Sequence, residues 1–152
     1  MKSILIASDH GGFSLKESLK PYLKRKGFSV EDLGAFSEER CDYPEFAYSL
    51  ASKVGKDKSK RGILICKSGI GNSIVANRVP GVRAALCVNT ECARLSREHN
   101  DSNILVLGSL FATPSQARKI TDIWLAAKFQ GGRHKRRLDQ IKEIEKRIRS
   151  SR

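Results

Sequence analysis

The sequence predicts an α/β fold in which helices cover both faces of a parallel sheet. Apolar runs with strand character alternate with stretches of helical periodicity, and no hairpin turn joins two of the runs. The run at 62–66 is apolar at every position, which is typical of a parallel strand buried on both faces. A chain of 152 residues is long enough for one domain, 1–152, with its own core.

The first strand and helix are predicted from apolar periodicity. Residues 3–7 form the first apolar run, and apolar side chains recur at helical spacing through 13–26. Pro21 lies inside this helical segment and predicts a kink. Gly27 ends the helix, and the run 28–33 follows as the second strand.

The middle of the chain repeats this order. Proline in the first turn marks a helix at 44–54, and a charged surface loop separates it from the third strand at 62–66. A loop with two glycines leads into a short helix at 72–78. A Pro-Gly turn then precedes the fourth strand, 83–88, and a helix at 91–98.

The last third contains a fifth strand at 103–107, a helix at 113–128 that starts with Thr-Pro, and a basic helix at 134–149 after a Gly-Gly break. The apolar residues of the last helix form one stripe, Leu138, Ile141, Ile144 and Ile148. A stripe of this kind predicts that the segment 133–152 is amphipathic and docks on the body of the protein or on a partner subunit.

Composition indicates anionic partners. The formal net charge is +13, from 29 Lys+Arg and 16 Asp+Glu, which suits phosphorylated metabolites, nucleic acid or a membrane surface. No apolar run approaches the ~20 residues of a membrane span, and no secretory signal is recognisable, so we expect a cytoplasmic protein without membrane contact. The basic C-terminal segment lacks aromatic residues for base stacking, so nucleic acid is not an expected partner.

The cysteine pattern argues against a metal site. The four cysteines stand at positions 41, 66, 87 and 92, without a C-x-x-C pair or an accompanying pair of histidines. We therefore expect no zinc and, in a reducing cytosol, no disulfide. Each cysteine is then either a small buried side chain or a reactive thiol.

The loop from Cys66 to Ser73 carries the strongest chemical signal. Its glycines allow backbone N–H groups to face a ligand, and the following helix N-terminus adds partial positive charge. Cys66 stands at the edge of this loop, where a helix N-terminus and Lys67 are expected to lower the pKa of its thiol. The segment also approaches the P-loop spacing, but its central residues belong to the buried strand, which argues against nucleotide hydrolysis.

Three further groups are candidate site residues. Asp9 and His10 follow the first strand, at the edge where parallel sheets bind ligands. His99 precedes the fifth strand and so belongs to the opposite edge, unless a dimer brings it to the Cys66 of a partner. Arg133 and Arg137 are spaced to form a phosphate clamp, with a solvated basic face as the alternative. For both histidines the alternative is a packing role.

Five segments in one register resemble the ribose-5-phosphate isomerase B family, which includes galactose-6-phosphate isomerase subunits. They are ASDHGGFSLKESLKPYLKRKGF, ERCDYPEFA, GILICKSGIGNSIVANRVPGVRAALC, LSREHNDSNILVLGS and FQGGRHKRRLDQIKEIE. The resemblance implies a Rossmann-like three-layer α/β/α sandwich with a five-stranded parallel sheet. It also implies a homodimer or homotetramer whose active sites are shared between subunits.

The resemblance further implies interconversion of ribose 5-phosphate and ribulose 5-phosphate through an enediolate, without a metal or other cofactor. Cys66 corresponds to the base, Ser68 to a hydroxyl that moves protons between O1 and O2, and His99 to the ring-opening residue, with Asp9 opposite it. The backbone from Lys67 through Gly69 and Ile70 to Gly71 corresponds to the anion hole. Substrate contacts correspond to Tyr43 and Asn100, and phosphate contacts to His10, Arg133 and Arg137.

Three positions depart from the family pattern. Lys67 and Ser68 stand where the family has Gly and Thr, and Leu110 stands where it has a phosphate-binding Arg. The side chain of Lys67 occupies space and carries a positive charge. It is expected to narrow the pocket, to lower the pKa of the Cys66 thiol or to contact the substrate phosphate. The alternatives are therefore an isomerase of allose or galactose 6-phosphate, or a non-catalytic protein that binds phosphosugars.

Overall fold

The computed structural model describes residues 2–152 and has one parallel sheet of five strands in the order β2-β1-β3-β5-β4. The strands are β1 (Ser3–Ser8), β2 (Ser29–Asp32), β3 (Arg61–Cys66), β4 (Ala84–Leu86) and β5 (Ile104–Gly108). The helices are α1 (Phe13–Arg25), α2 (Tyr43–Lys56), α3 (Ile70–Ala76), α4 (Thr90–Glu98), α5 (Pro114–Ala126) and α6 (Arg133–Ser150). The predicted α/β class, the parallel five-stranded sheet and the C-terminal helix are confirmed.

The core has two halves, one on each face of the sheet. Ile63 and Ile65 of β3 face the half packed by α1, α4 and α5, whereas Leu64 faces the half packed by α2 and α3. All three side chains are fully buried, as the continuously apolar run predicted. Helices therefore cover both faces, which gives the three layers.

Some element boundaries differ from the predicted ones. The helix predicted at 72–78 begins two residues earlier, because Gly69 takes a left-handed φ of +81° and its carbonyl accepts the N–H of Ser73. The observed strand β4, Ala84–Leu86, is shorter than the strand predicted at 83–88, since β4 is an edge strand with β5 as its single neighbour. The N–H of Arg83 instead donates to the side chain of Asn103 at 2.7 Å.

Helix α6 lies at the β4 edge of the body. Leu138 is buried there, and Glu145 accepts a hydrogen bond from the N–H of Gly81 at 3.3 Å. The three isoleucines of its stripe remain about half exposed, at 45–50%. Within residues 2–152 no helix has the combination of length and apolar character that crossing a bilayer demands.

Candidate active site

A cleft of about 390 Å³ lies at the carboxyl edge of the sheet, where β3 leads into α3. We call it the Cys66 cleft, and its lining residues are Asp9, Tyr43, Cys66, Lys67, Ser68, Ile70, Gly71 and Ile74. Parallel sheets bind ligands at this edge, because the loops that follow the strands converge there. Seven of the eight residues were predicted as site residues, the exception being Ile74.

The turn between β3 and α3 holds the sulfur of Cys66. The N–H of Gly69 donates to Cys66 Sγ at 3.2 Å, and the N–H of Ile70 donates to Ser68 Oγ at 3.2 Å. A Cβ at position 69 would lie 2.4 Å from Leu86 Cδ1 and would strain a backbone with positive φ. Glycine is therefore required for the turn that directs this N–H to the sulfur.

The electrostatics of the thiol correct one expectation. Burial raises the pKa of Cys66, and it outweighs the backbone N–H groups of Asn72, Gly69 and Ser68, which lower the pKa. The negative charge of Asp9 raises the pKa further. The predicted lowering by Lys67 and the helix N-terminus is wrong for the single chain, because desolvation of the thiolate is the larger effect.

Asp9 and Lys67 are the two charged side chains of the cleft. Asp9 Oδ1 accepts the N–H of Gly12 at 3.0 Å, which fixes the carboxylate at the start of a short 3-10 turn. Lys67 is exposed and extends along Gly11, where an added Cβ would lie 2.8 Å from Lys67 Cγ. The cleft therefore offers an anchored acid and a solvent-accessible cation.

His10 follows Asp9 at this edge, although it does not line the cleft. Its Nδ1 lies 3.0 Å from the carbonyl oxygen of Cys41 and 3.2 Å from the N–H nitrogen of the same residue. Cys41 was given no role from sequence, but its backbone positions the imidazole. The sequence analysis missed Ile74, although its spacing of four residues from Ile70, which places both on one face of α3, could have indicated it.

Six predicted site residues do not line the cleft. Gly69 and His10 adjoin it through Cys66 and Asp9, whereas His99, Asn100, Arg133 and Arg137 lie elsewhere. His99 follows α4, at the edge of the sheet where β5 begins, which agrees with the sequence argument. Its imidazole stacks on His134, with ring centroids 4.2 Å apart and planes 10° from parallel. Within one chain the structure therefore separates these residues from Cys66.

The chain is similar to known proteins in sequence over nearly its whole length. A family described as Ribose/Galactose Isomerase matches residues 4–141. The probable ribose-5-phosphate isomerase B of Mycoplasma genitalium is 48% identical over 146 residues, covering 95% of this chain and 96% of that protein. Ribose-5-phosphate isomerase B of Escherichia coli is 44% identical over 147 residues, covering 97% of this chain and 99% of that protein.

Solved structures agree with the sequence relatives. Ribose-5-phosphate isomerase B of Clostridium thermocellum superposes with a TM-score of 0.92 at 49% identity, covering 96% of this chain and 99% of that one. The Mycoplasma genitalium enzyme with bound ribulose-5-phosphate gives a TM-score of 0.91 at 47% identity, covering 95% of this chain and 96% of that one.

Proposed function

Because this chain belongs to the ribose/galactose isomerase family, we propose that it interconverts ribose 5-phosphate and ribulose 5-phosphate with Cys66 as the base. The relative with bound ribulose-5-phosphate supports the choice of sugar. The observation that carries the proposal is the sulfur of Cys66, which is held by the N–H of Gly69 beside a cleft.

The proton transfer requires one base. The Cys66 thiolate removes the proton from C2 of the open-chain aldose, and the C1 carbonyl electrons move to O1 to give an enediolate. The resulting thiol then returns the proton to C1, while the carbonyl forms at O2. Ser68 lines the same cleft, and its hydroxyl moves a proton between O2 and O1 so that the charges balance.

The enediolate needs hydrogen-bond donors at its oxygen. The backbone from Lys67 to Gly71 forms the turn that surrounds Cys66. The N–H of Gly69 is bound to Cys66 Sγ and that of Ile70 to Ser68 Oγ, so we assign the other N–H groups of this turn as the anion hole. Preorganised donors of this kind contribute about 3 kcal/mol each to transition-state stabilisation in other enzymes.

Ring opening and phosphate binding require a second copy of the chain. We assign ring opening to His99 of one copy, acting opposite Asp9 of the other, with Asn100 contacting the sugar. Arg133 and Arg137 belong to the same copy as His99 and bind the substrate phosphate. His10 of the copy that supplies Asp9 also contacts the phosphate. A homodimer is the smallest assembly with a complete site, and α6 with its half-exposed isoleucines contributes to its interface.

Lys67 is assigned to the substrate phosphate. It is the single cation of the Cys66 cleft within residues 2–152. Leu110, which stands at the position of the family's phosphate-binding Arg, is 66% exposed and supplies no charge. Lys67 therefore replaces part of the positive charge missing at position 110.

A substrate panel tests this function. Purified enzyme is assayed with ribose 5-phosphate, allose 6-phosphate and galactose 6-phosphate, and we expect the highest kcat/KM with ribose 5-phosphate. A higher kcat/KM with a 6-phosphohexose would assign the enzyme to that sugar instead. Binding of all three sugars without turnover would identify a phosphosugar-binding protein and contradict the proposal.

A further inference from the structure

A second cavity, of about 250 Å³, lies at the edge of the sheet opposite the Cys66 cleft, where β3 begins. We call it the basic cavity. Six cationic side chains line it, and these are Lys58, Lys60, Arg61, Arg83, Arg97 and Lys142. Asp101 is its one acidic lining residue within residues 2–152. The proposed isomerase reaction uses none of the seven.

Arg97 lines this cavity and is largely buried, with its side chain 5% exposed. One guanidinium nitrogen, Nη1, donates to Asp101 Oδ1 at 2.9 Å and to the carbonyl of Ser102. The Nε atom is buried and has no hydrogen-bond partner among residues 2–152. A buried guanidinium with an unpaired donor carries a positive charge that is only partly compensated, so negative charge in the cavity would stabilise it.

Arg61 brings a second guanidinium into the same cavity. It packs over the ring of Trp124, with its central carbon 5.7 Å from the ring centroid. Burial lowers the pKa of Arg61, and the positive charge of Arg97 lowers it further. The two like charges therefore repel each other in a partly desolvated space.

The single carboxylate does not neutralise the cavity. Asp101 pairs with Arg97 at 2.9 Å and also with Arg83 at 3.4 Å, so its charge is shared between two guanidiniums. Lys142 lies 3.9 Å from Asp139, a carboxylate outside the lining. The six cations and one carboxylate of the lining therefore leave the basic cavity with more positive charge than one phosphate dianion can neutralise.

We propose that the basic cavity binds a small polyanion that carries two phosphate groups. Its volume lies below the range of roughly 300–1,000 Å³ that holds drug-sized ligands, which favours a compact ligand over a whole nucleotide. Guanidiniums bind phosphate oxygens through charge-assisted hydrogen bonds, and Arg61, Arg83 and Arg97 all line this cavity. The proposal does not depend on the isomerase reaction, because the basic cavity shares no lining residue with the proposed isomerase site.

Calorimetric titration with inorganic pyrophosphate tests the proposal. The pocket variant is Lys58→Glu with Lys142→Glu, two exposed lysines of the lining whose replacement leaves the buried Arg97 intact. The matched control is Lys24→Glu with Lys119→Glu, two exposed lysines outside this cavity that give the same change in net charge. Thermal unfolding of both variants verifies that they fold.

We expect saturable binding by the wild type and the control, and a loss of affinity of about tenfold or more in the pocket variant. Equal weakening in both variants would show a general charge effect and overturn the proposal. If the pocket variant bound pyrophosphate as tightly as the wild type, the pyrophosphate would occupy another site, such as the Cys66 cleft. This result would also overturn the proposal. So would binding of a single-stranded oligonucleotide alone, without binding of pyrophosphate.

Discussion

The backbone N–H of Gly69 donates a hydrogen bond to the sulfur of Cys66 across 3.2 Å. This bond favours the thiolate, whereas burial of the sulfur favours the neutral thiol and is the stronger effect. The balance between the two effects determines what fraction of the Cys66 thiol is ionised at a given pH.

The first prediction concerns the pH dependence of the reaction. Since burial raises the pKa of Cys66, the thiolate that the proposed reaction needs accumulates at a higher pH than an ordinary thiolate does. We expect kcat/KM to rise with pH on a limb that matches the ultraviolet absorbance of the thiolate. Cys92→Ala is the control and should keep this limb, whereas a wild-type rate that increases as the pH falls would contradict the assignment.

The second prediction concerns the shared site. Cys66→Ala and His99→Ala homodimers should each be nearly inactive. When the two variants are mixed and allowed to exchange subunits, about a quarter of the wild-type sites should regain both residues, since half of the dimers are mixed and each has one intact site. The steady-state rate of the mixture measures this. A site built from a single chain would give no recovery on mixing.

The third prediction concerns a buried ion pair that holds the loop after β2. Lys16 is fully buried, and its Nζ donates to Asp32 at 2.7 Å and to the carbonyl of Ala35 at 2.5 Å. Lys16→Met removes one of the two cations paired with Asp32 and leaves Lys20 and the N–H of Gly34, so the free energy of unfolding should fall by about 3 kcal/mol. Lys24→Met, on the exposed face of the same helix, should change it by less than about 0.5 kcal/mol.

Acid denaturation reports on the same pair. Burial opposes ionisation of Asp32, but hydrogen bonds from Lys16, Lys20 and the Gly34 N–H outweigh it and lower the pKa of the carboxyl. The pair therefore stabilises the fold above the unfolded value of ~3.9, and this stability is lost as the pH falls through the lowered pKa. Chemical denaturation across this range should show a shallower loss in Lys16→Met. An identical pH dependence in wild type and variant would refute the role of the pair.

The fourth prediction concerns the stacked histidines. Burial lowers the pKa of His134, and the charges of His99, Arg133 and Arg137 lower it further. A lowered pKa means that stability is complete above the unfolded value of 6.5 and is lost as the pH falls below it. His134→Phe keeps the stacking on His99 without titrating, so its melting temperature should fall less between about pH 7.5 and about pH 5.5. His10→Gln serves as the control and should behave like the wild type.

Much of the fold could be predicted because its signals are local. The apolar runs and the glycine loop after Cys66 are properties of contiguous residues, and they located the sheet and most of the cleft. The position of His99 before β5 also indicated, through strand direction alone, that it lies away from Cys66 in one chain.

Other features depend on packing and could not be predicted. Nothing in the pattern around Lys16 or Arg97 distinguishes a buried cation from an exposed one, because burial depends on which helix face meets the sheet. The predicted direction of the pKa shift of Cys66 was wrong because burial of the sulfur also depends on packing. The helix N-terminus is visible in sequence. The burial that outweighs it, and the negative charge of Asp9 that raises the pKa further, come from residues distant along the chain.

The most direct test of the account is the turnover of ribose 5-phosphate by Cys66→Ala, compared with Cys92→Ala. We expect kcat to fall by about a thousandfold or more in Cys66→Ala while ribose 5-phosphate still binds, since the base is lost and the phosphate contacts remain. Cys92→Ala should retain wild-type turnover. A Cys66→Ala enzyme that isomerises ribose 5-phosphate at the wild-type rate would contradict the account.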